Sequence, residues 1–124
     1  MADNPSISVV IPVFNEEESL QQLNSELFKV LEPFFNWEII YVDDGSDDSS
    51  YSVMKKIADE DSRILAIRFF KNFGKADALS EGFKHTMGDI IITMDADLQD
   101  DPVEIPHLIN KINEGWDLVS GWKK

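Results

Sequence analysis

The feature that most constrains the fold is a regular alternation of apolar runs with amphipathic segments. Four apolar runs predict strands: Ile7–Phe14, Trp37–Asp44, Arg63–Phe70 and Asp89–Asp95. The first, rich in β-branched residues, is typical of a strand covered on both faces, and the second is predicted to be buried as well. Amphipathic helices are predicted between the four runs, and "WDLVSGW" (Trp116–Trp122) predicts a final short strand. The order β-α-β-α-β-α-β-α-β favours an α/β fold, a mostly parallel sheet with helices on both faces.

Four helices are predicted from apolar residues at steps of three and four. We place the acids of "NEEES" in the first turn of the first helix, which ends at Pro33, and Gly88 at the end of the third. Pro102 is expected to start the fourth. The apolar positions are Leu20, Leu23, Leu27 and Leu31; then Val53, Met54, Ile57 and Ala58; then Ala76, Leu79, Phe83 and Met87; and finally Ile105, Leu108, Ile109 and Ile112.

Composition removes several classes of function. The 124 residues fit one domain, and 43% of them are hydrophobic, enough for a core. The absence of cysteine excludes disulfides and thiolate chemistry and fits a cytoplasmic protein. A net charge of −13 argues against nucleic-acid binding, which needs clustered Lys and Arg. The sequence contains neither a membrane-length apolar run nor a signal-peptide pattern.

Acidic residues follow three of the predicted strands. The first strand runs into Asn15-Glu16-Glu17, the second ends in Asp43-Asp44, and the fourth ends in Asp95-Ala96-Asp97. Because the carboxyl ends of parallel strands share one edge of the sheet, these clusters are expected to lie together. Ligands of such sheets bind beyond that edge, where the strand order reverses.

The segment "TMDADLQDD" suggests a cation site. Asp95 and Asp97 can face one point, Gln99 offers a neutral oxygen, and hard divalent cations prefer oxygen ligands. D-x-D is a weak motif, so a solvated loop stays an alternative. Asp100 and Asp101 are better assigned to the start of the next helix.

The segment "VDDGSDDSS" does not have the spacing of a calcium loop. Asp43 or Asp44 could accept hydrogen bonds from a base or ribose, whereas Asp47, Asp48 and Ser49 fit turn and N-cap positions. Lys75 follows Gly74 at a strand-to-helix turn, where it is either a phosphate ligand or a solvated lysine.

Other motifs are missing or unremarkable. The chain has no G-x-S-x-G, P-loop or G-x-G-x-x-G motif, which removes support for a serine hydrolase, a P-loop NTPase and a dinucleotide dehydrogenase. His85 and His107 are interpreted as structural or surface residues. The tryptophans, Trp37, Trp116 and Trp122, are assigned to packing.

Four segments in register resemble a known family. They are "SVVIPVFNEEESL", "EIIYVDDGSDDSS", "FFKNFGKADALSEGF" and "GDIIITMDADLQDDPVEIPHLI", and they resemble the nucleotide-sugar half of family 2 glycosyltransferases. The nearest subgroup is that of dolichyl-phosphate mannosyltransferases and bacterial polyprenyl-phosphate glycosyltransferases. The resemblance implies a Rossmann-like GT-A fold, with residues 1–124 forming a single donor domain.

The resemblance also implies site residues. Asp97 and Gln99 would ligate Mg²⁺ or Mn²⁺ on the diphosphate, while no residue is assigned as a catalytic base. A polyprenyl phosphate acceptor, already an anion, would need no base; a sugar hydroxyl would. The residues implied to contact the nucleoside-diphosphate sugar are Pro12, Phe14 and Glu16 around the base and ribose, Asp43 and Asp44 on the base or ribose, Lys75 near the diphosphate or sugar, and Asp95, Ala96 and Asp97.

Family domains of this kind continue beyond the position of "SGWKK". The expectation is therefore a truncated glycosyltransferase domain, which binds nucleotide weakly and turns nothing over by itself. The full-length protein is expected at the cytoplasmic face of a membrane. An interrupted sheet would expose an edge that favours homo-oligomers.

The sequence bears on three rival functions. A non-catalytic nucleotide-binding module would have the same fold. A phosphoacceptor receiver domain would place its acid pair after the first strand, whereas here the pairs follow the second and fourth. A nucleotidyltransferase would need a Gly- and Arg-rich loop after the first strand, and the segment there is "NEEES".

Overall fold

A computed structural model describes residues 6–34, 36–99 and 101–113. The strands are β1 (Ile7–Val13), β2 (Trp37–Asp43), β3 (Ile64–Arg68) and β4 (Ile90–Thr93). The helices are α1 (Leu20–Leu31), α2 (Ser50–Glu60), α3 (Lys75–Phe83) and α4 (Ile105–Asn113), the last preceded by a 3₁₀ turn at Pro102–Glu104. The predicted final strand, with Trp116 and Trp122, lies outside the described residues. In the part of the chain that is described, no helix is long and apolar enough to cross a membrane.

The four strands form one parallel sheet in the order β3-β2-β1-β4. This confirms the predicted α/β class. Successive strands are added on one side of β1 until β3, and β4 then pairs with the other side of β1. The strand order therefore reverses between β1 and β4, which marks the crevice at their carboxyl ends as the expected ligand site.

One face of the sheet carries most of the core. Helices α1, α2 and α4 cover it with apolar residues at helical spacing, and the four leucines of α1 are fully buried as predicted. Trp37 is also buried, in an edge-to-face contact with Phe28. The residues contributed by the helices are Leu20, Leu23, Leu27, Leu31, Met54, Ile57, Ile105 and Ile109.

Helix α3 covers the opposite face, and it does so with a different side from the one predicted. The stripe of Ala76, Leu79, Phe83 and Met87 is wrong: Ala76 and Phe83 are exposed, Leu79 is half-buried, and Met87, beyond the helix, is 86% exposed. The buried residues of α3 are Ala78 and Gly82, and Ala78 packs with Ile40 and Val42 of β2. The helix axis approaches the sheet closely, so the sheet accepts small side chains and leaves the larger ones outside.

Gly82 offers a direct test of this close approach. A Cβ at Gly82 would overlap Cγ1 of Val10, a core side chain in β1. Overpacking of this kind costs roughly 1–3 kcal/mol, more than the ~1 kcal/mol by which Ala exceeds Gly in helix propensity. Gly82→Ala is therefore expected to lower the free energy of unfolding by about 1 kcal/mol. Ser80→Ala, on the exposed side of α3, is the control and should leave the free energy of unfolding unchanged. Urea unfolding of both variants measures these free energies. A Gly82→Ala protein as stable as wild type would contradict the prediction.

Two other predicted details are corrected. Helix α1 starts at Leu20 and has no acid in its first turn, because Glu16, Glu17 and Glu18 lie in the preceding turn. Gly88 does not end α3, which stops at Phe83. It lies instead against β1, where its N–H donates to Ser8 Oγ at 2.9 Å and a Cβ would come within 2.7 Å of the same oxygen.

Candidate active site

The chain segments that leave β1, β2 and β4 touch one another at the carboxyl edge of the sheet. Ser19 Oγ donates a hydrogen bond of 2.7 Å to the carbonyl of Ala96, which links the start of α1 to the loop after β4. The Glu16 N–H donates to Ser50 Oγ at 2.8 Å, which links the same region to the start of α2. The predicted convergence of the acidic segments is therefore observed.

The loops after β1 and β2 bind each other through reciprocal side-chain contacts. Asn15, with φ of 54°, donates its N–H to Ser46 Oγ and accepts from the Asp47 N–H, both at 2.9 Å. Asp48 accepts from Ser50 N–H at 2.8 Å, as expected of a turn and capping residue. Burial acts to raise the pKa of Asp48, but hydrogen bonds from Ser50 and Glu17 outweigh it and hold that pKa below its ordinary value.

The loop after β4 presents its two candidate acids differently. Asp95 is partly buried and forms an ion pair with Lys75, whose Nζ lies 2.5 Å from Oδ1. Asp97 is exposed, and its Oδ1 accepts from the Gln99 N–H at 3.1 Å across Leu98, which has φ of 67°. Asp101 caps the following 3₁₀ turn by accepting from Val103 N–H, as predicted; Asp100 lies outside the described residues.

Negative charge accumulates where β1 and β4 end. The pKa of Glu16 is raised, chiefly by burial and further by the charges of Asp97, Asp48 and Asp95, against the opposing hydrogen bond from Ser19. Within the described residues no group of three or more acidic or histidine side chains converges on one point to hold a metal. Magnesium sites commonly use only one or two protein carboxylates together with waters and substrate phosphates. Asp97, with Gln99 beside it, fits that smaller set of ligands.

The acids at the end of β2 are buried. Asp44 is 4% exposed, and its carboxylate accepts hydrogen bonds from Asn72, Phe73 and Gly74. Asp43 is fully buried; its Oδ1 accepts from the Ser46 N–H at 3.3 Å, and its Oδ2 lies 4.0 Å from Arg68 Nε without a hydrogen-bond partner. Both residues lie at the predicted edge, but below its surface.

An open cleft of about 620 Å³ lies at the carboxyl ends of β1, β2 and β3. Phe14 lines it, while Pro12 and Glu16 are half-buried outside its lining. Its other lining residues are Gly45, Ser46, Asp47, Arg68, Phe69, Phe70, Lys71 and Asn72. The sequence interpretation selected Lys75 from the segment after β3 but assigned no role to residues 68–72, although the rule that strand ends share one edge applies to them equally.

Basic and aromatic side chains lie together on the β3 side of this cleft. The Arg68 guanidinium lies 4.7 Å from the centre of the Tyr51 ring. Phe70 and Phe73 meet edge to face at 5.2 Å, and Lys71 Nζ lies 5.2 Å from the Phe73 ring. This combination suits a flat ring with polar edges, because aromatic side chains can stack on it while cations bind its oxygens.

Comparison with known proteins identifies the family. Residues 8–123 match the family model described as glycosyl transferase family 2. The chain belongs to this family. The rival interpretation as a receiver domain is thereby set aside, in agreement with the paired acids after β2 and β4.

Curated relatives of this glycosyltransferase chain carry a more specific name. The chain is 49% identical over 115 residues to the undecaprenyl-phosphate 4-deoxy-4-formamido-L-arabinose transferase of Salmonella choleraesuis, and it has the same identity to that of Salmonella paratyphi B. The match covers 91% of this chain and 35% of each relative. The chain therefore spans about a third of the length of these relatives.

Solved structures with the same fold include complexes with nucleotide sugars. The mannosyltransferase PcManGT from Pyrobaculum calidifontis, in complex with GDP-Man and Mn²⁺, matches with a TM-score of 0.69 and 25% identity, over 76% of this chain and 28% of that one. S. aureus TarS in complex with UDP-GlcNAc matches with a TM-score of 0.70 and 22% identity, over 88% and 31%. The fold of family 2 transferases, the GT-A fold, is confirmed.

Proposed function

We propose that this chain is the donor-binding part of a glycosyltransferase that transfers a sugar from a nucleoside diphosphate to a polyprenyl phosphate, with Mg²⁺ or Mn²⁺. The observation that carries the proposal is the position of Asp97 and of the Lys75–Asp95 ion pair at the point where the strand order reverses in a family 2 domain. The names of the curated relatives support the lipid phosphate as acceptor. GDP-Man and Mn²⁺ in PcManGT support the donor class and the cation.

In this proposal the nucleotide lies along the carboxyl edge of the sheet. The base and ribose fit the cleft beside Phe14, where Arg68 and Lys71 provide hydrogen-bond donors. The diphosphate then extends toward the loop after β4, where Lys75 and Asp97 lie at the strand reversal. Lys75 is the first residue of α3, so the phosphate would also face the N-terminal end of that helix.

The residues of this edge can assist the reaction through charge. Cleavage of the sugar–phosphate bond builds negative charge on the nucleoside diphosphate, and a bound divalent cation would stabilise that charge. Asp97, with Gln99 beside it, would hold the cation, while the Lys75 ammonium would bind a diphosphate oxygen. Asp95 would orient Lys75, and the segment Asp95–Asp97 would contact the nucleotide sugar. A polyprenyl phosphate oxygen can attack the sugar carbon as an anion, without a general base.

The described part of the chain supplies donor-side residues, and the chain spans about a third of its relatives' length. Within the proposal, the 124 residues alone bind nucleotide without turnover, and a longer protein at the cytoplasmic face of a membrane carries the acceptor side. Self-association through an exposed strand edge stays a prediction.

A nucleotide panel tests this function. Uridine and guanosine diphosphates, free or sugar-linked, are expected to raise the melting temperature of the chain when Mn²⁺ or Mg²⁺ is present. At ten times Kd the stabilisation is about 1.4 kcal/mol, a shift of several degrees. Nucleosides without phosphate, and diphosphates with a chelator, should give a much smaller shift. A panel in which no nucleotide raises the melting temperature, or in which the chelator has no effect, would overturn the proposal.

A further inference from the structure

A serine at the start of α1 is bonded to the loop that carries Asp97. We propose that Ser19 is a positioning residue: its hydroxyl fixes the carbonyl of Ala96 and thereby sets the direction in which the Asp97 carboxylate meets the cation. The inference rests on the proposed function, because it assigns Ser19 a role at the same cation. Ser19 itself touches neither the cation nor the nucleotide.

Ser19 occupies a helix-capping position without capping the helix. It is the N-cap residue of α1, where a serine side chain ordinarily accepts from a backbone N–H of the first turn. In the described helix, Leu20–Leu31, its side chain makes no such bond. The hydroxyl instead donates to the Ala96 carbonyl at 2.7 Å, whereas the Glu16 carbonyl and Glu16 Oε2 both lie at 3.3 Å. Since a hydroxyl has one proton and O–H···O bonds span about 2.5–3.0 Å, Ala96 is the principal acceptor.

The backbone of Ser19 is fixed on both sides. Its N–H donates to the Glu16 carbonyl at 3.1 Å, and its carbonyl accepts from the Leu23 N–H at 2.9 Å in the first turn of α1. The next residue, Leu20, is fully buried in the main core. A hydroxyl on a backbone held in this way can keep a second segment in place, which the same group on a loose turn could not.

The bond at Ala96 acts on Asp97 through the peptide plane. The Ala96 carbonyl and the nitrogen and Cα of Asp97 belong to one planar group, so a bond to the carbonyl oxygen fixes the orientation of that plane. The Ala96 side chain is 3% exposed and packs in the core, which restricts movement of the plane as a whole. The position of the Asp97 Cα is therefore determined by the residue before it.

Leu98 restrains Asp97 from the other side. Its φ of 67° is a left-handed conformation, unfavourable for a residue with a side chain, and that side chain is half-buried against the core. In this conformation the Gln99 N–H reaches Asp97 Oδ1 at 3.1 Å. Such a conformation persists only where neighbouring contacts hold it, and the Ser19–Ala96 bond is a contact of this kind two residues away.

A loop without this attachment would turn Asp97 away from the neighbouring acids. The negative charges of Asp97 and Asp95 both act on Glu16, and repulsion favours a loop that separates them. The Ser19 bond opposes that movement and keeps the Asp97 carboxylate in position for a cation. Less conformational entropy is then lost when the cation and the diphosphate bind.

Nucleotide binding with and without metal measures the effect. The measured quantity is the Kd of the 124-residue chain for GDP and UDP, determined with Mn²⁺ and again with a chelator. Ser19→Ala is expected to raise the Kd with Mn²⁺ about fivefold, the factor that corresponds to loss of one neutral hydrogen bond, and to leave the Kd with chelator unchanged. Ser19→Thr keeps a hydroxyl at this position and should bind within about twofold of wild type under both conditions.

Ser49→Ala is the matched control. Ser49 is the N-cap residue of α2, it is exposed, and its side chain likewise makes no capping bond to the described helix, Ser50–Glu60. Its replacement should change neither Kd. Three results would overturn the inference: a wild-type Kd with Mn²⁺ in Ser19→Ala, an equal rise of the Kd with and without Mn²⁺, which indicates a general structural defect, or a loss in Ser19→Thr as large as in Ser19→Ala.

Backbone ¹⁵N order parameters test the positioning without metal or nucleotide. In wild type, Asp97, Leu98 and Gln99 are expected near about 0.85, the value of rigid backbone. In Ser19→Ala they should fall toward about 0.6, whereas Ser49→Ala should leave them unchanged. Unchanged order parameters in Ser19→Ala would contradict the inference. A wild-type chain that binds neither diphosphate with Mn²⁺ would instead defeat the proposed function, and the order parameters would still decide whether Ser19 fixes the loop.

Discussion

Asp97→Asn is expected to abolish the metal-dependent part of the nucleotide response. The amide has the shape of the carboxylate and keeps an oxygen for the Gln99 N–H, so the turn of the loop should survive. It lacks the charge that a hard divalent cation requires, and the Asp97 side chain is exposed to solvent. We expect the melting-temperature rise with diphosphate and Mn²⁺ to fall to the level seen with chelator. In a longer protein that carries the acceptor side, turnover should fall at least about a hundredfold.

Asp101→Asn is the matched control for this prediction. Asp101 belongs to the same acidic run, but its carboxylate caps the turn at Pro102–Glu104. Asparagine is an equally good N-cap, so Asp101→Asn should change neither the fold nor the metal-dependent shift. A Mn²⁺-dependent shift that persists in Asp97→Asn, or that disappears equally in Asp101→Asn, would contradict the assignment of the cation to Asp97.

The strands were predictable because each is a short apolar run between amphipathic segments. Burial on both faces explains this for β1 and β2, whereas β3 and β4 each have exposed residues, among them Leu65 and Ile91. Each apolar run contains the observed strand, and the boundaries differ by one or two residues, as at Phe14 and Asp44. Helix α3 was not predictable in the same way. The apolar stripe marks its large side chains, whereas the sheet selects the small ones, Ala78 and Gly82, because the two backbones lie close together. Hydropathy records how apolar a residue is, not how near a neighbouring strand comes.

The candidate site was predictable to the extent that topology determines it. The expectation that strand ends share one edge brought Glu16, Asp97 and Lys75 into one region. The partners of individual side chains were not predictable, because they are distant in sequence. Asp44 binds the Phe73 amide, 29 residues along the chain, and no local pattern identifies that pair. A motif such as "VDDGS" therefore locates a functional edge but does not identify the partners of its acids.

Gly45→Ala is expected to be among the most destabilising single substitutions in this chain. Gly45 has φ of 74°, a left-handed conformation that costs a non-glycine residue roughly 1–2 kcal/mol. The added methyl group would also overlap backbone atoms of Lys71 and Asn72, which no rotamer change can relieve. Together these effects should lower the free energy of unfolding by about 3 kcal/mol or more and the melting temperature by roughly 10 °C. Thermal and urea unfolding measure both quantities.

Gly74→Ala separates the two contributions. Gly74 also has a positive φ, 109°, but a Cβ there would meet no atom within 4 Å, so its replacement carries the backbone strain without the overlap. The difference between the two variants therefore measures how tightly residues 71–72 are pressed on the end of β2. We expect Gly45→Ala to exceed Gly74→Ala by at least about 1 kcal/mol, the lower limit for overpacking. Equal losses would contradict the close contact at Gly45, because they would mean that residues 71–72 move away from the added methyl group at little cost in free energy.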